Sequence, residues 1–165
     1  MDVTDLELRD AVDHIAISRL IDGYADVVTR RAWEELHELF LPTCTVHIDT
    51  VTGAPRTLTG PAEAGTFIAG AVERFSFFEF VVLNRRIELR VGGDPDGASG
   101  RIFMREQRQG AVDGRYTSAF GCYRDRFARV DGRWWFAERR YRSLARTAAD
   151  GAEADLEVMP WPDDL

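Results

Sequence analysis

Apolar residues at Leu8, Val12, Ile15, Ala16, Leu20, Tyr24 and Val28 recur at the spacing of one helix face. Thr4-Asp-Leu-Glu7 ahead of them has the capping-box form, so the pattern predicts an opening helix of about six turns. Trp33, Leu36, Leu39 and Phe40 repeat the spacing over a second, shorter helix, which Pro42 ends because it has no backbone N–H to donate. The period then changes. Cys44 to Val51 alternates small or apolar residues with polar ones, which predicts a short strand, and Thr52-Gly-Ala-Pro-Arg56 breaks it. Gly60-Pro61 starts a third helix, with Phe67, Ile68, Ala71, Val72 and Phe75 as its apolar stripe.

The remainder reads as strands near 79–91, 98–109, 115–129 and 133–145, separated by runs rich in Gly and Asp. Asp131-Gly132 joins the last two as a tight hairpin, since Gly accepts a positive φ and Asp tolerates the neighbouring position. Helices first and antiparallel strands afterwards predict an α+β domain. Four long strands twist, so the expected architecture is a conical, curled antiparallel sheet packed on three N-terminal helices and enclosing a hydrophobic pocket. One domain is expected over residues 1–146, followed by a small, acidic, Pro-containing C-terminal extension over 147–165.

A length of 165 residues with 45% hydrophobic and 30% charged residues suits one globular domain with its own core. The formal charge of −7 argues against a nucleic-acid partner, which draws on a basic balance. The arginine-rich run from Arg124 to Arg146 is the local exception, and it reads as strand-face arginines paired with the excess carboxylates. Cys44 and Cys122 are far apart without metal or redox spacing and read as small buried thiols. Three scattered histidines have neither HxxxH nor HxH spacing, so neither a metal nor a cofactor is expected. No apolar run reaches the roughly 20 residues a bilayer span needs, and the expectation is a cytoplasmic protein without a membrane partner.

Tyr24 ahead of Arg30-Arg-Ala-Trp33, then Leu39-Phe40-Leu-Pro42, Gly60, Asn84, Gly121-Cys-Tyr-Arg-Asp125 and Asp131-Gly-Arg-Trp134 leading to Arg139 follow one another in a specific order. In these residues the chain resembles the nuclear transport factor 2-like superfamily, and within it the SnoaL-like branch of polyketide cyclases, scytalone dehydratase and related dehydratases, over about residues 8–146. The resemblance implies a conical α+β barrel around a hydrophobic pocket for a small hydrophobic molecule, and a homodimer formed through the outer face of the sheet. It also implies an Asp five residues after the tyrosine, working with a His on the strand that follows the third helix. Those positions hold Thr29 and Phe80 here, and neither side chain moves a proton near neutral pH.

The reactive groups must then come from elsewhere. Tyr24 can donate a hydrogen bond to a substrate oxygen, or serve as a core tyrosine satisfied locally. Tyr123 and Asp125 share one strand face. Asp125 facing an apolar pocket would act as acid or base, whereas pairing with Arg139 across the hairpin would keep it ionised and let the arginine bind an anionic oxygen. His47 beside Asp49 is a replacement dyad if the first strand turns that face inward, and a surface pair if Cys44, Val46 and Ile48 do. Asn84 fixes a ligand carbonyl or marks a bulge, and Trp33, Thr29 and Phe80 complete the expected binding wall. Glu106, between Arg105 and Arg108, reads as a rim salt bridge. Two functions stay open. One is a cofactor-independent lyase, isomerase or cyclase acting by proton transfer on a hydrophobic oxygenated ring; the other is a non-catalytic ligand-binding or scaffold protein.

Overall fold

The computed structural model describes residues 4–148 and 155–162. A capping box opens α1 (Asp5–Arg30): Thr4 Oγ1 accepts from the Glu7 amide at 3.2 Å, and the Glu7 carboxylate accepts from the Thr4 amide at 2.8 Å. Ile17, Leu20, Ile21, Tyr24, Val27 and Val28 face the core, while Leu8, Val12 and Ile15 are more than half exposed. The predicted stripe therefore covers the core with its C-terminal half only. Its N-terminal half docks by polar contacts instead. Asp13 Oδ1 accepts from Arg129 Nη1 at 2.8 Å and from Trp134 Nε1 at 2.9 Å, and Asp10 pairs with Arg90. A helical period locates an apolar face but not the element that covers it.

The second predicted helix is a single 3₁₀ segment, Trp33–Glu38, because Phe40 already begins β1 (Phe40–Asp49). Pro42 ends no helix. It lies in a bulge of β1, between the Phe40–Phe136 pair and the resumed ladder at Thr45–Glu138, where no N–H is required of it. Between the predicted break and the third helix lies a short strand, β2 (Arg56–Thr59), whose alternation is too brief and too polar to stand out. Next come α2 (Gly60–Val72), β3 (Phe75–Leu89), β4 (Gly97–Gly110), β5 (Tyr116–Val130) and β6 (Arg133–Thr147). Phe75, read from the sequence as helical, is the first residue of β3.

The strands form one curled, unclosed sheet in the order β2-β1-β6-β5-β4-β3. The α+β expectation holds, but the sheet is mixed, since β1 runs parallel to β6 and brings the first strand beside the last long one. Asp131 (φ 52°) and Gly132 (φ 77°) make the β5–β6 turn, as two consecutive positive φ values require of a primed hairpin turn. Part of the predicted extension joins the sheet. β7 (Leu156–Val158) pairs antiparallel with the end of β6, and the Met159 amide donates to the Leu144 carbonyl at 2.8 Å. Residues 149–154 and 163–165 of that extension lie outside the described residues. α1 and α2 close the concave face of the sheet over the core, and no described helix is long and apolar enough to cross a membrane.

One glycine locks α2 against β1. Gly60 starts the helix at φ +76°, and a Cβ added there would lie 2.8 Å from the Pro42 carbonyl oxygen. Gly60→Ala combines a strained φ with a backbone clash, so it should cost about 1–3 kcal/mol in urea unfolding. An unchanged midpoint would show that the β1 bulge moves freely.

Candidate functional site

Side chains from the concave sheet face and both helices surround a cavity of about 290 Å³. It runs from exposed Thr50, Thr52, Ala71 and Arg74 at the mouth to buried Tyr24, Phe80 and Tyr123 at the deep end. Phe67, Ile68, Phe75 and Phe78 form an apolar wall, and Glu106, Arg108, Tyr141 and Ser143 a polar one. Strand alternation decides who enters. On β4, Ile102, Met104, Glu106 and Arg108 share the inward parity. On β5 the parity of Tyr123 and Asp125 extends through Gly121 to Ala119.

The deep end is aromatic. Tyr24 meets Phe80 edge-on at 5.4 Å and Tyr123 at 6.1 Å between ring centroids, and Tyr123 meets Tyr141 at 5.1 Å. Gly121 makes room for Tyr141, because a Cβ at that position would lie 2.2 Å from the Tyr141 ring. Burial raises all three phenols above their ordinary value, so each is a neutral O–H donor across physiological pH.

Behind these rings, and outside the cavity wall, Arg139 donates from Nε and Nη2 to the two Asp125 oxygens, both at 3.0 Å. Both side chains are essentially inaccessible. The guanidinium carbon lies 3.9 Å from the Tyr24 ring centroid, 4.1 Å from that of Tyr123 and 4.2 Å from that of Phe136. Burial pushes the Asp125 carboxyl up to about 6, against the pull of the Arg139 charge, so the pair is ionic at neutral pH. Of the two sequence alternatives for Asp125, the geometry is that of the Arg139 pair.

Four other predicted residues, His47, Asn84, Trp33 and Thr29, are not in the cavity lining. His47 points to the outer sheet face, its Nδ1 3.0 Å from Thr57 Oγ1 and its Nε2 3.3 Å from a Glu138 oxygen, because Val46 and Ile48 take the inward parity of β1. Asn84 is exposed opposite Phe103, since a bulge between Val82 and Asn84 reverses the parity that would have turned it inward. Trp33 packs beside Gly65 of α2 and supports the helix from outside the lining. The Thr29 hydroxyl accepts the Phe80 amide at 3.0 Å, so the two positions that the resemblance pairs are neighbours in space, joined by a structural hydrogen bond.

Glu106 is the functional candidate that sequence reasoning set aside. It stands directly across the ladder from Phe80, one strand over, and projects from the same face. Burial raises its carboxyl above the ordinary glutamate value, with Arg108 and Arg74 acting in the opposite direction. It forms an ion pair with Arg108, at 3.4 Å between Nη1 and Oε2. The signal was present in the sequence, since Glu106 and Arg108 continue the alternation set by Ile102 and Met104.

The family model described as a SnoaL-like domain matches residues 9–140. The chain belongs to the SnoaL-like domain family. Solved structures place this SnoaL-like domain in the nuclear transport factor 2-like fold. A protein provisionally named scytalone dehydratase from Novosphingobium aromaticivorans is 22% identical with a TM-score of 0.72, over 88% of this chain and 93% of that one. The hexachlorocyclohexane dehydrochlorinase LinA-type3 from Novosphingobium barchaimii is 20% identical with a TM-score of 0.75, over 93% and 99%. An NTF2-like protein with a cystatin-like fold from Novosphingobium aromaticivorans is 22% identical with a TM-score of 0.69, over 93% and 94%. At these identities the likeness is one of fold. No curated protein matches the sequence.

The Asp125–Arg139 pair yields a test with a defined sign. Arg139→Met leaves a carboxylate buried without its cation, a loss of about 3–5 kcal/mol in urea unfolding at pH 8. Without the guanidinium, the folded pKa of Asp125 moves further above its unfolded value. The carboxyl then favours the fold only while protonated, so the loss should shrink at pH 5 and grow as pH rises. Arg139→Met combined with Asp125→Leu should recover most of the stability and abolish the pH dependence. Equal losses in the single and double variants would refute an ionic pair.

Proposed function

We propose that this SnoaL-like domain is a cofactor-independent enzyme that moves a proton on a hydrophobic oxygenated ring compound, with Glu106 as the base. The observation that supports it is a carboxylate with a raised pKa set in the wall of a cavity that also presents an apolar face and three phenols. A general base works best when its pKa approaches the working pH, and burial moves Glu106 in that direction. The ladder adds a second support. Glu106 occupies the strand position adjoining Phe80, so a carboxylate stands beside the place where the resemblance expects an imidazole.

In the first step the Glu106 carboxylate takes a proton from a carbon next to a carbonyl. The C–H electron pair moves into the new double bond, and the carbonyl pair moves onto oxygen. A phenol O–H of Tyr24, Tyr123 or Tyr141 donates a hydrogen bond to that developing oxyanion. Return of the proton to a different carbon completes an isomerisation. Transfer of it to a β-hydroxyl, which leaves as water, completes a dehydration. The apolar wall excludes bulk water from the intermediate. A second reading, a pocket that binds without turnover, is favoured by the structural use of Thr29 and Phe80.

Hydrogen–deuterium exchange separates the two. With 2-tetralone in D₂O, NMR should show the protein accelerating exchange at the carbons beside the carbonyl. Glu106→Gln should slow that exchange by about 10²–10⁴-fold while retaining binding. The base acts when deprotonated, so the wild-type rate should climb with pH through a pKa above the ordinary glutamate value. Binding of ring ketones with no exchange above buffer would sink the catalytic reading in favour of the carrier.

A further inference from the structure

Arg108 is held inside the cavity wall with less hydrogen bonding than its guanidinium demands. Its side chain is 15% exposed, and its one ion pair among the described residues, to Glu106, is long at 3.4 Å. Its Nε is fully buried and makes no hydrogen bond among the described residues. A guanidinium carries five N–H donors in a fixed planar fork, and one that lines a cavity with only a long ion pair has donors left for a ligand. Burial opposes the Arg108 charge, and the Glu106 carboxylate offsets this only in part.

The charges around this wall are unequal. Arg74, Arg108 and Arg146 line the cavity together with Glu106. Arg146 is engaged by Glu157 of β7 at 3.0 Å, and Arg74 makes no ion pair among the described residues. One positive charge is therefore in excess at the cavity, in a chain whose net charge is −7. An apolar shelf lies beside it. The Phe75 ring has the Arg74 guanidinium 4.9 Å and the Arg108 guanidinium 5.3 Å from its centroid, and Phe78 stacks on Phe75 at 6.3 Å.

We infer that the cavity selects ring compounds bearing a single carboxylate, with Arg108 as the residue that binds the acid and Phe75 and Phe78 as the shelf for the ring. The planar fork of Arg108 matches a carboxylate, and the part of the guanidinium that lines the cavity is what the ligand would engage. A monoanion fits the single excess charge, whereas a dianion would face Glu106 without enough compensation. The inference rests on the cavity being the working site and names the class of substrate brought to it. It also gives Glu106 a partner effect, because a carboxylate held by Arg108 draws that guanidinium away from the base.

Isothermal titration of the full chain with 2-naphthoate and 2-naphthamide tests it, since the two share ring and shape and differ in charge. Naphthoate should bind at least about tenfold tighter, the size expected of a charge-assisted pair. Arg108→Gln should bring the two within about twofold by weakening only the acid, and Glu106→Gln should tighten the acid by removing a neighbouring negative charge. If Arg108→Gln fails to fold, Arg74→Gln at the exposed mouth should still narrow the acid preference. Equal affinities in the wild type, or a preference unchanged in these variants, would overturn the inference. Glu106-dependent exchange without acid preference refutes this selection and leaves the proton-transfer reading standing. Acid preference without exchange does the reverse.

Discussion

A guanidinium buried among three aromatic rings sets the terms for everything around it. Arg139 cannot be solvated where it lies, so it depends on the bidentate Asp125 carboxylate and on the ring faces of Tyr24, Tyr123 and Phe136. That dependence fixes three elements together. Asp125 and Arg139 face each other across the β5–β6 ladder, and Tyr24 is carried in from α1. Any slip of one residue between the two strands would send the carboxylate and the cation to opposite faces. A buried ion pair of this kind adds little net stability compared with an apolar replacement. What it contributes is register, and with it the orientation of the phenols that floor the cavity.

The same arrangement separates structural charges from chemical ones. Asp125 has a shifted carboxyl but no route to a ligand, since its two oxygens are taken by Arg139 behind the aromatic floor. Glu106 has a shifted carboxyl, a long contact to one arginine and a place in the cavity wall. A raised pKa is common to both, and only access and incomplete pairing set them apart.

Long periodic segments were legible in the sequence because their signals are local. The α1 capping box, the Asp131-Gly132 turn and the four long strands each depend on residues close in the chain. Where parity had to be carried across a bulge, sequence reasoning was incomplete. At Asn84 the bulge alternative holds and the ligand-binding one does not, since the Val82–Asn84 irregularity turns it outward, and the β1 bulge absorbs Pro42 into a strand. The two faces of β1 could not be ranked from the sequence, since His47 with Asp49 and Val46 with Ile48 are each coherent sets. The cover supplied by α2 decides between them. The salt bridge read at Glu106 is present, with Arg108, but in the cavity wall rather than on a solvated rim, as the alternation from Ile102 through Met104 indicates.

The parallel pairing of β1 with β6 joins residues nearly a whole domain apart, as Phe40 opposite Phe136 illustrates. Loop closure over that distance is slow, and the contact cannot form before the last long strand is made. The cavity lies between walls drawn from both sides of this junction, with Val46 and Ile48 from one and Tyr141 and Ser143 from the other. The binding site is therefore complete only once this junction has closed. A ligand in the cavity would touch both sides of the junction at once, and so act as a clasp on the completed topology.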